Sequence, residues 1–123
     1  MFCFYNANPL GRRVKDCTVR AISLAINKTW DETYDILSGY AKEQAIMMDE
    51  VEYIDDFLKE HFEKLCGCKG NVKLTVGQFV KNHPYGTFLI TMRGHITCCK
   101  DGCIYDTFNP SDRFIWDIYK VKE

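Results

Sequence analysis

The sequence predicts an α+β fold, and three observations carry that reading. Apolar residues recur at helical spacing through the first two thirds of the chain, the period changes to two after Gly86, and Asp101-Gly102 places a strong two-residue hairpin signal between two alternating segments. Helices followed by antiparallel strands is the pattern of an α+β domain. The chain has 123 residues, 46% of them apolar, which suffices for one core and leaves no room for an appended module, so residues 1–123 are read as a single domain.

Each element follows from local chemistry. Residues 1–15 read as irregular or briefly extended, with Asn6, Asn8, Pro9 and Gly11 as turn formers. Asp16 is a suitable N-cap for a helix from Cys17 to Ile26, whose inner stripe would be Thr18, Ala21, Ile22, Ala25 and Ile26. Thr29-Trp30-Asp31-Glu32 has the form of a capping box, opening a helix with Trp30, Tyr34, Leu37 and Ala41 on one face and Gly39 fraying its end. A third helix is expected from Asp49 to Leu65, with Val51, Ile54, Leu58, Phe62 and Leu65 in register, stopped by Cys66-Gly67-Cys68-Lys69-Gly70. Thr75 and Gln78 form a second capping box at the head of a short helix ending at Asn82. Thr87–Arg93, His95–Lys100, Cys103–Phe108 and Phe114–Val121 then read as strands.

The hairpin fixes a register. With Asp101-Gly102 as its loop, Lys100 faces Cys103, Cys99 faces Ile104, Thr97 faces Asp106 and His95 faces Phe108. His95, Thr97, Cys99, Ile104, Asp106 and Phe108 therefore share one face, and Cys98 and Tyr105 take the other. His95 and Asp106 become diagonal neighbours, close enough for an imidazole–carboxylate hydrogen bond.

Composition excludes several classes. The net charge is −1 with both signs interleaved, which argues against a nucleic-acid binder. No segment reaches the roughly 20 apolar residues a membrane span requires. Seven cysteines in a chain that shows no export signal read as reduced thiols of a cytoplasmic protein. The one local cluster of cations, Arg12, Arg13, Lys15 and Arg20, surrounds Cys17 and suggests an entrance for an acidic or carboxylate-bearing substrate.

Cys17 at a helix start, then His95, then Asp106 is a constellation with a chemistry. The helix dipole and Arg20 would lower the thiol pKa, His95 would take its proton and later deliver it to a leaving group, and Asp106 would orient the imidazole. The Cys17 N–H would be one oxyanion donor, with the side-chain amide of Asn8 or Asn6 as the other. Asp16 opposes this by its charge unless its carboxylate is engaged elsewhere. Asn109 is the alternative third member, one position out of phase with the His95 face, while His61 and His83 fall on a charged helix and in a loop before Pro84.

The segments Tyr5-Asn6-Ala7-Asn8-Pro9, Asp16-Cys17-Thr18-Val19-Arg20-Ala21, Gly94-His95 and Tyr105-Asp106-Thr107 resemble the papain-like cysteine peptidase superfamily. The likeness is to its compact Cys-His-Asp branches, such as bacteriocin-processing peptidases and transglutaminase-like proteins, and to small proteins of phages and Firmicutes. It implies a central helix opening on a nucleophilic cysteine, packed on a sheet that carries His and Asp. The implied activity is hydrolysis of a peptide or other amide bond through an acyl-enzyme on Cys17, without metal or cofactor, on a peptide or protein substrate in the cytoplasm (the host's, if phage-encoded). Such enzymes usually place a glutamine about six residues before the cysteine, where this chain has Gly11.

Three alternatives stay open. The same constellation serves transglutaminase-type acyl transfer, and the fold also suits a non-catalytic phage-type protein that binds a partner. Cys66, Cys68, Cys98, Cys99 and Cys103 could supply zinc ligands, although Cys-x-Cys and Cys-x-x-x-Cys depart from the usual knuckle spacing and Cys98 and Cys99 point to opposite faces.

Overall fold

The computed structural model describes residues 1–67 and 73–122. The described chain folds as β1 (Phe2–Phe4), α1 (Cys17–Ile26), α2 (Trp30–Glu43), α3 (Val51–His61), β2 (Glu63–Gly67), α4 (Val76–Asn82), β3 (Thr87–Met92), β4 (His95–Lys100), β5 (Cys103–Asp106) and β6 (Asp117–Val121). It is α+β, with the six strands in one sheet of order β1-β5-β4-β3-β6-β2. Among the described residues, no helix is long and apolar enough to cross a membrane.

Local signals account for most of these elements. Both capping boxes form, with Thr29 Oγ1 accepting from the Glu32 N–H and Thr75 Oγ1 from the Gln78 N–H, each returned by the acidic or amide side chain. Asp101 and Gly102 both have positive φ, 49° and 81°, the backbone of the tight hairpin turn that their residue types favour. The β4–β5 ladder runs outward from it as Lys100–Cys103, Cys99–Ile104 and Cys98–Tyr105. Gly39 lies inside α2 rather than at its end, since Leu37 and Ala41 on either side are fully buried and hold that turn.

Three expectations need correction. The sheet is mixed, because β1 pairs in parallel with β5 (Cys3 opposite Tyr105), a long-range contact that three residues of sequence do not announce. The third helix stops at His61; Phe62 is already extended (φ −134°, ψ 157°), and the chain continues as β2 against β6, with Lys64 paired to Asp117 at 3.4 Å. Phe62 and Leu65 suit helical spacing, but Leu65 stays 43% exposed, so no buried face extends the helix. The last strand begins at Asp117, and Phe114 makes only an isolated bridge to Thr75.

Alternation of side chains divides the core in two. Leu89, Ile96, Cys98, Tyr119 and Val121 pack with α1, α2 and α3 on one side of the sheet. Phe88, Ile90, Met92, Cys99, Ile104 and Ile118 pack with Val76, Phe79 and Val80 of α4 on the other. The inner stripe of α1 is centred on Val19, Ala21 and Ile22, with Thr18, Ala25 and Ile26 only partly covered. Ile22 is completely buried in the first cluster. Ile22→Ala is expected to lower unfolding free energy by about 2–5 kcal/mol, read as a reduced urea midpoint at unchanged slope.

Candidate active site

Cys17 is the first residue of α1. Main-chain N–H groups of a first helical turn have no intrahelical acceptor, so the half-buried thiol sits at the positive end of the helix. Asp16 does not cap that helix through its side chain. Its backbone lies at φ −115°, ψ 24°, and its carboxylate turns elsewhere: Oδ2 accepts from Trp30 Nε1 at 2.9 Å and Asn8 Nδ2 at 3.3 Å, while Oδ1 lies 2.9 Å from Arg20 Nε. The negative charge beside the thiol is thus neutralised within the helix's own first turns.

The β4–β5 ladder ends at Cys98–Tyr105, short of the expected Thr97–Asp106 and His95–Phe108 pairs, yet the two functional side chains still meet. His95 Nε2 and Asp106 Oδ2 are 2.6 Å apart, with only 7% and 3% of the two side chains exposed. Asp106 Oδ1 accepts from the Thr107 N–H at 2.7 Å. The Cys17 thiol faces the His95 imidazole and the Ile96 main chain, and both favour its ionised form. Since Nε2 is held by Asp106, Nδ1 is left for sulfur. Phe108 covers the imidazole, ring centroids 4.7 Å apart, and the Arg113 guanidinium lies over Phe108 at 4.8 Å.

The electrostatics favour the charged pair. Burial pushes the Cys17 thiol up, but hydrogen bonding to His95, its positive charge, the Ile96 backbone and Arg20 together bring it below its ordinary value. Burial pulls His95 down, and this is outweighed by its hydrogen bonds to Asp106 and Cys17 and by their charges, which raise it to about 9. Burial likewise pushes Asp106 up, and its hydrogen bond to His95 leads the interactions that hold it below the usual carboxylate range.

The other residues singled out by sequence fall into place around this centre. Arg20 is 7% exposed and engaged by Asp16, by Thr107 Oγ1 at 3.0 Å and by Asp106 at 3.7 Å, so it is no entrance cation for substrate. Arg12 and Arg13 are exposed, Arg13 lying over the Phe4 ring at 5.2 Å. Asn6 is spent on its loop, donating to the Arg12 carbonyl and accepting from the Asn8 N–H. Asn8 accepts the Leu10 and Arg12 N–H groups through Oδ1 and directs its amide nitrogen at Asp16, next to Cys17. Gly11 has φ +65°, a conformation in which the glutamine usual in papain-like enzymes would be strained.

Asn109 is turned to Ser111, whose N–H and hydroxyl both donate to its Oδ1, and takes no part in orienting His95. His61 and His83 repeat one device: each bonds the carbonyl four residues back, of Phe57 and Phe79 respectively, and stacks on that phenylalanine at 4.1 and 4.0 Å. Cys98 and Cys99 are buried in opposite clusters, and burial raises both thiols, Cys99 to about 12. Cys103 lies beside Cys3, whose thiol is raised first by its hydrogen bond to Cys103. Cys68 and the Cys66 side chain lie outside the described residues; among those described, no group of three or more His, Cys, Asp or Glu could hold a metal ion.

Sequence reasoning missed Trp30 and Thr107 as supports of the site. No local signal marks the indole as the partner of Asp16, since only the packing of α2 on α1 brings them together. One cavity lies at the end of α1 and another beside the β3–β4 turn. The larger, roughly 550 Å³, is lined by Leu24, Asn27, His61 and Lys100 at the far end of α1 from Cys17. The smaller, roughly 400 Å³, is lined by Met92, Arg93, Asp112, Arg113, Phe114 and Trp116. It adjoins the site, because Met92 is paired with His95 across the β3–β4 hairpin. No family model, curated protein or solved structure matches this chain, so the functional reading rests on the geometry of the site itself.

Proposed function

We propose that the protein is a papain-like thiol hydrolase that cleaves a peptide or other amide bond through an acyl-enzyme on Cys17. The observation that carries this reading is the 2.6 Å His95–Asp106 hydrogen bond, set with its imidazole against the Cys17 thiol at the N-terminus of α1. The Cys17 thiolate attacks the carbonyl carbon, and the C–N bond breaks as His95 delivers its Nδ1 proton to the departing amine. Water then attacks the thioester, gives a proton to His95 and releases the acid, while Asp106 stays ionised throughout. An amine in place of water gives acyl transfer by the same steps. The Cys17 N–H is one oxyanion donor, and the second N–H of the Asn8 amide, the first being directed at Asp16, is the other. Because the leaving group must lie on the His95 side to receive its proton, the cavity beyond Phe108 takes the leaving portion of the substrate. Its two arginines against one aspartate favour an acidic segment there.

The test is the rate of Cys17 alkylation by iodoacetamide as a function of pH, followed by mass spectrometry of the modified peptide. The rate is expected to rise below the 9.0 of an ordinary thiol and to level off once the pair is fully formed. Loss of the imidazolium proton near pH 9 should end general-acid catalysis, so a cleavage profile would be bell-shaped with that alkaline limb. A labelling curve with its midpoint at or above 9.0 would sink the enzyme reading and leave a partner-binding protein.

A further inference from the structure

Arg20 is buried and charged, and beyond its pull on the Cys17 thiol the chemistry just described gives it no role. A guanidinium taken out of water is a poor way to gain stability, because replacing a buried ion cluster with apolar residues is often neutral or favourable. Its placement is specific all the same. Arg20 stands four residues after Asp16 and three after Cys17, so one helical face presents the carboxylate, the thiol and the guanidinium together. Its Nε meets Asp16 at 2.9 Å, and its Nη1 reaches across to β5, 3.0 Å from Thr107 Oγ1 and 3.7 Å from Asp106 Oδ1.

The contact divides the two oxygens of Asp106. Oδ1 is occupied by the Thr107 N–H and faces Arg20, which leaves Oδ2 for His95. Charge acts on His95 in the opposite sense to this orientation. The groups around the His95–Asp106 bond are Cys17, Asp16 and Arg20 from the start of α1 and Asp106 from β5, with Arg113 held beyond Phe108. Without Arg20, one imidazolium would face two carboxylates and a thiolate, and that added negative potential alone would raise the His95 titration, so a fall can come only from Asp106 turning Oδ2 away.

We propose that Arg20 is a positioning residue of this site: it holds Asp106 ionised with Oδ2 turned to His95, and Asp16, fastened by Trp30 and Asn8, is the counter-charge that keeps Arg20 in place. The Asp-Cys-x-x-Arg segment is then one unit that carries the nucleophile together with the control of its distant base. This inference rests on the reading of Cys17 as the nucleophile, but it concerns His95 and can be tested apart from it.

The experiment compares Arg20→Gln and Arg20→Lys with the native protein, in both the Cys17 and the Cys17→Ala backgrounds. It reads the His95 imidazole titration by NMR and, where Cys17 is present, the pH profile of its alkylation. Arg20→Gln should move the His95 titration down, because losing the oriented Asp106 partner outweighs the opposing effect of the removed charge, and should slow alkylation near pH 7 about tenfold, the equivalent of one pKa unit. Arg20→Lys keeps the charge but cannot fork between two carboxylates, and should recover part of both. The drop in His95 titration should persist in the Cys17→Ala background. A folded Arg20→Gln protein whose His95 titrates as in the native chain, or higher, would overturn the proposal. If that variant does not fold, an Arg20→Lys protein identical to native in both readouts overturns it equally. Sluggish Cys17 labelling in the native protein would instead count against the nucleophile alone.

Discussion

His95→Ala is expected to abolish amide cleavage to within background, a loss of about 10²–10⁴-fold from general acid–base catalysis alone. The same variant should slow alkylation of Cys17 near pH 7 on the order of tenfold or more. With the imidazolium gone, burial is the leading influence left on the thiol, and it pushes upward. The tenfold figure is modest because a more basic thiolate is also a better nucleophile, which offsets part of the lost ionisation. Comparing mass-spectrometric labelling rates of native and variant protein, both shown to be folded by circular dichroism, checks the effect. Equal rates would mean that His95 does not hold the thiolate.

Asp106→Ala should be the most damaging single change to stability. It removes the carboxylate that faces two buried cations, His95 and Arg20, and leaving a buried charge without its partner costs about 3–5 kcal/mol. Its signature is in the pH dependence. Asp106 titrates below an ordinary carboxylate, so its stabilisation is present above the unfolded value and is lost as pH falls through the folded one. His95 is raised from 6.5 to about 9, so its contribution is complete below pH 6.5 and is lost as pH rises through about 9. Urea midpoints across pH should therefore fall on both the acid and the alkaline side in the native protein. The Asp106→Ala curve should be lower and flatter on both sides. A variant curve parallel to the native one would show that the two groups are not linked in this way.

What could be read from the sequence was whatever short-range chemistry decides. Asp101-Gly102 specifies its own turn and with it three rungs of the β4–β5 ladder, and that was enough to bring His95 and Asp106 within reach. The two Thr-led capping boxes mark their helices for the same reason. What stayed hidden depends on partners far along the chain. β1 is three residues long and finds its place only against β5, and β2 continues an apolar spacing that suits a helix until β6 is there to pair with it. Arg20 was expected at an entrance because a cation on a helix is ordinarily solvated. Its burial follows from two carboxylates, one of them supplied by β5. Asp16 was expected as a cap because its residue type favours that role, and Trp30 and Arg20 outcompete the helix N–H groups for its oxygens.

Cys17 and His95 come from opposite halves of the chain, and this has a consequence for how the protein is born. The run β3, β4, β5 is joined by tight turns and can assemble from neighbours in sequence, whereas docking of Cys17 on His95 must close a loop that spans most of the chain. Until α1 seats on that sheet, Cys17 has neither His95 nor the Ile96 backbone beside it and remains an ordinary thiol. The appearance of a more readily alkylated Cys17 during refolding would therefore time the last docking event.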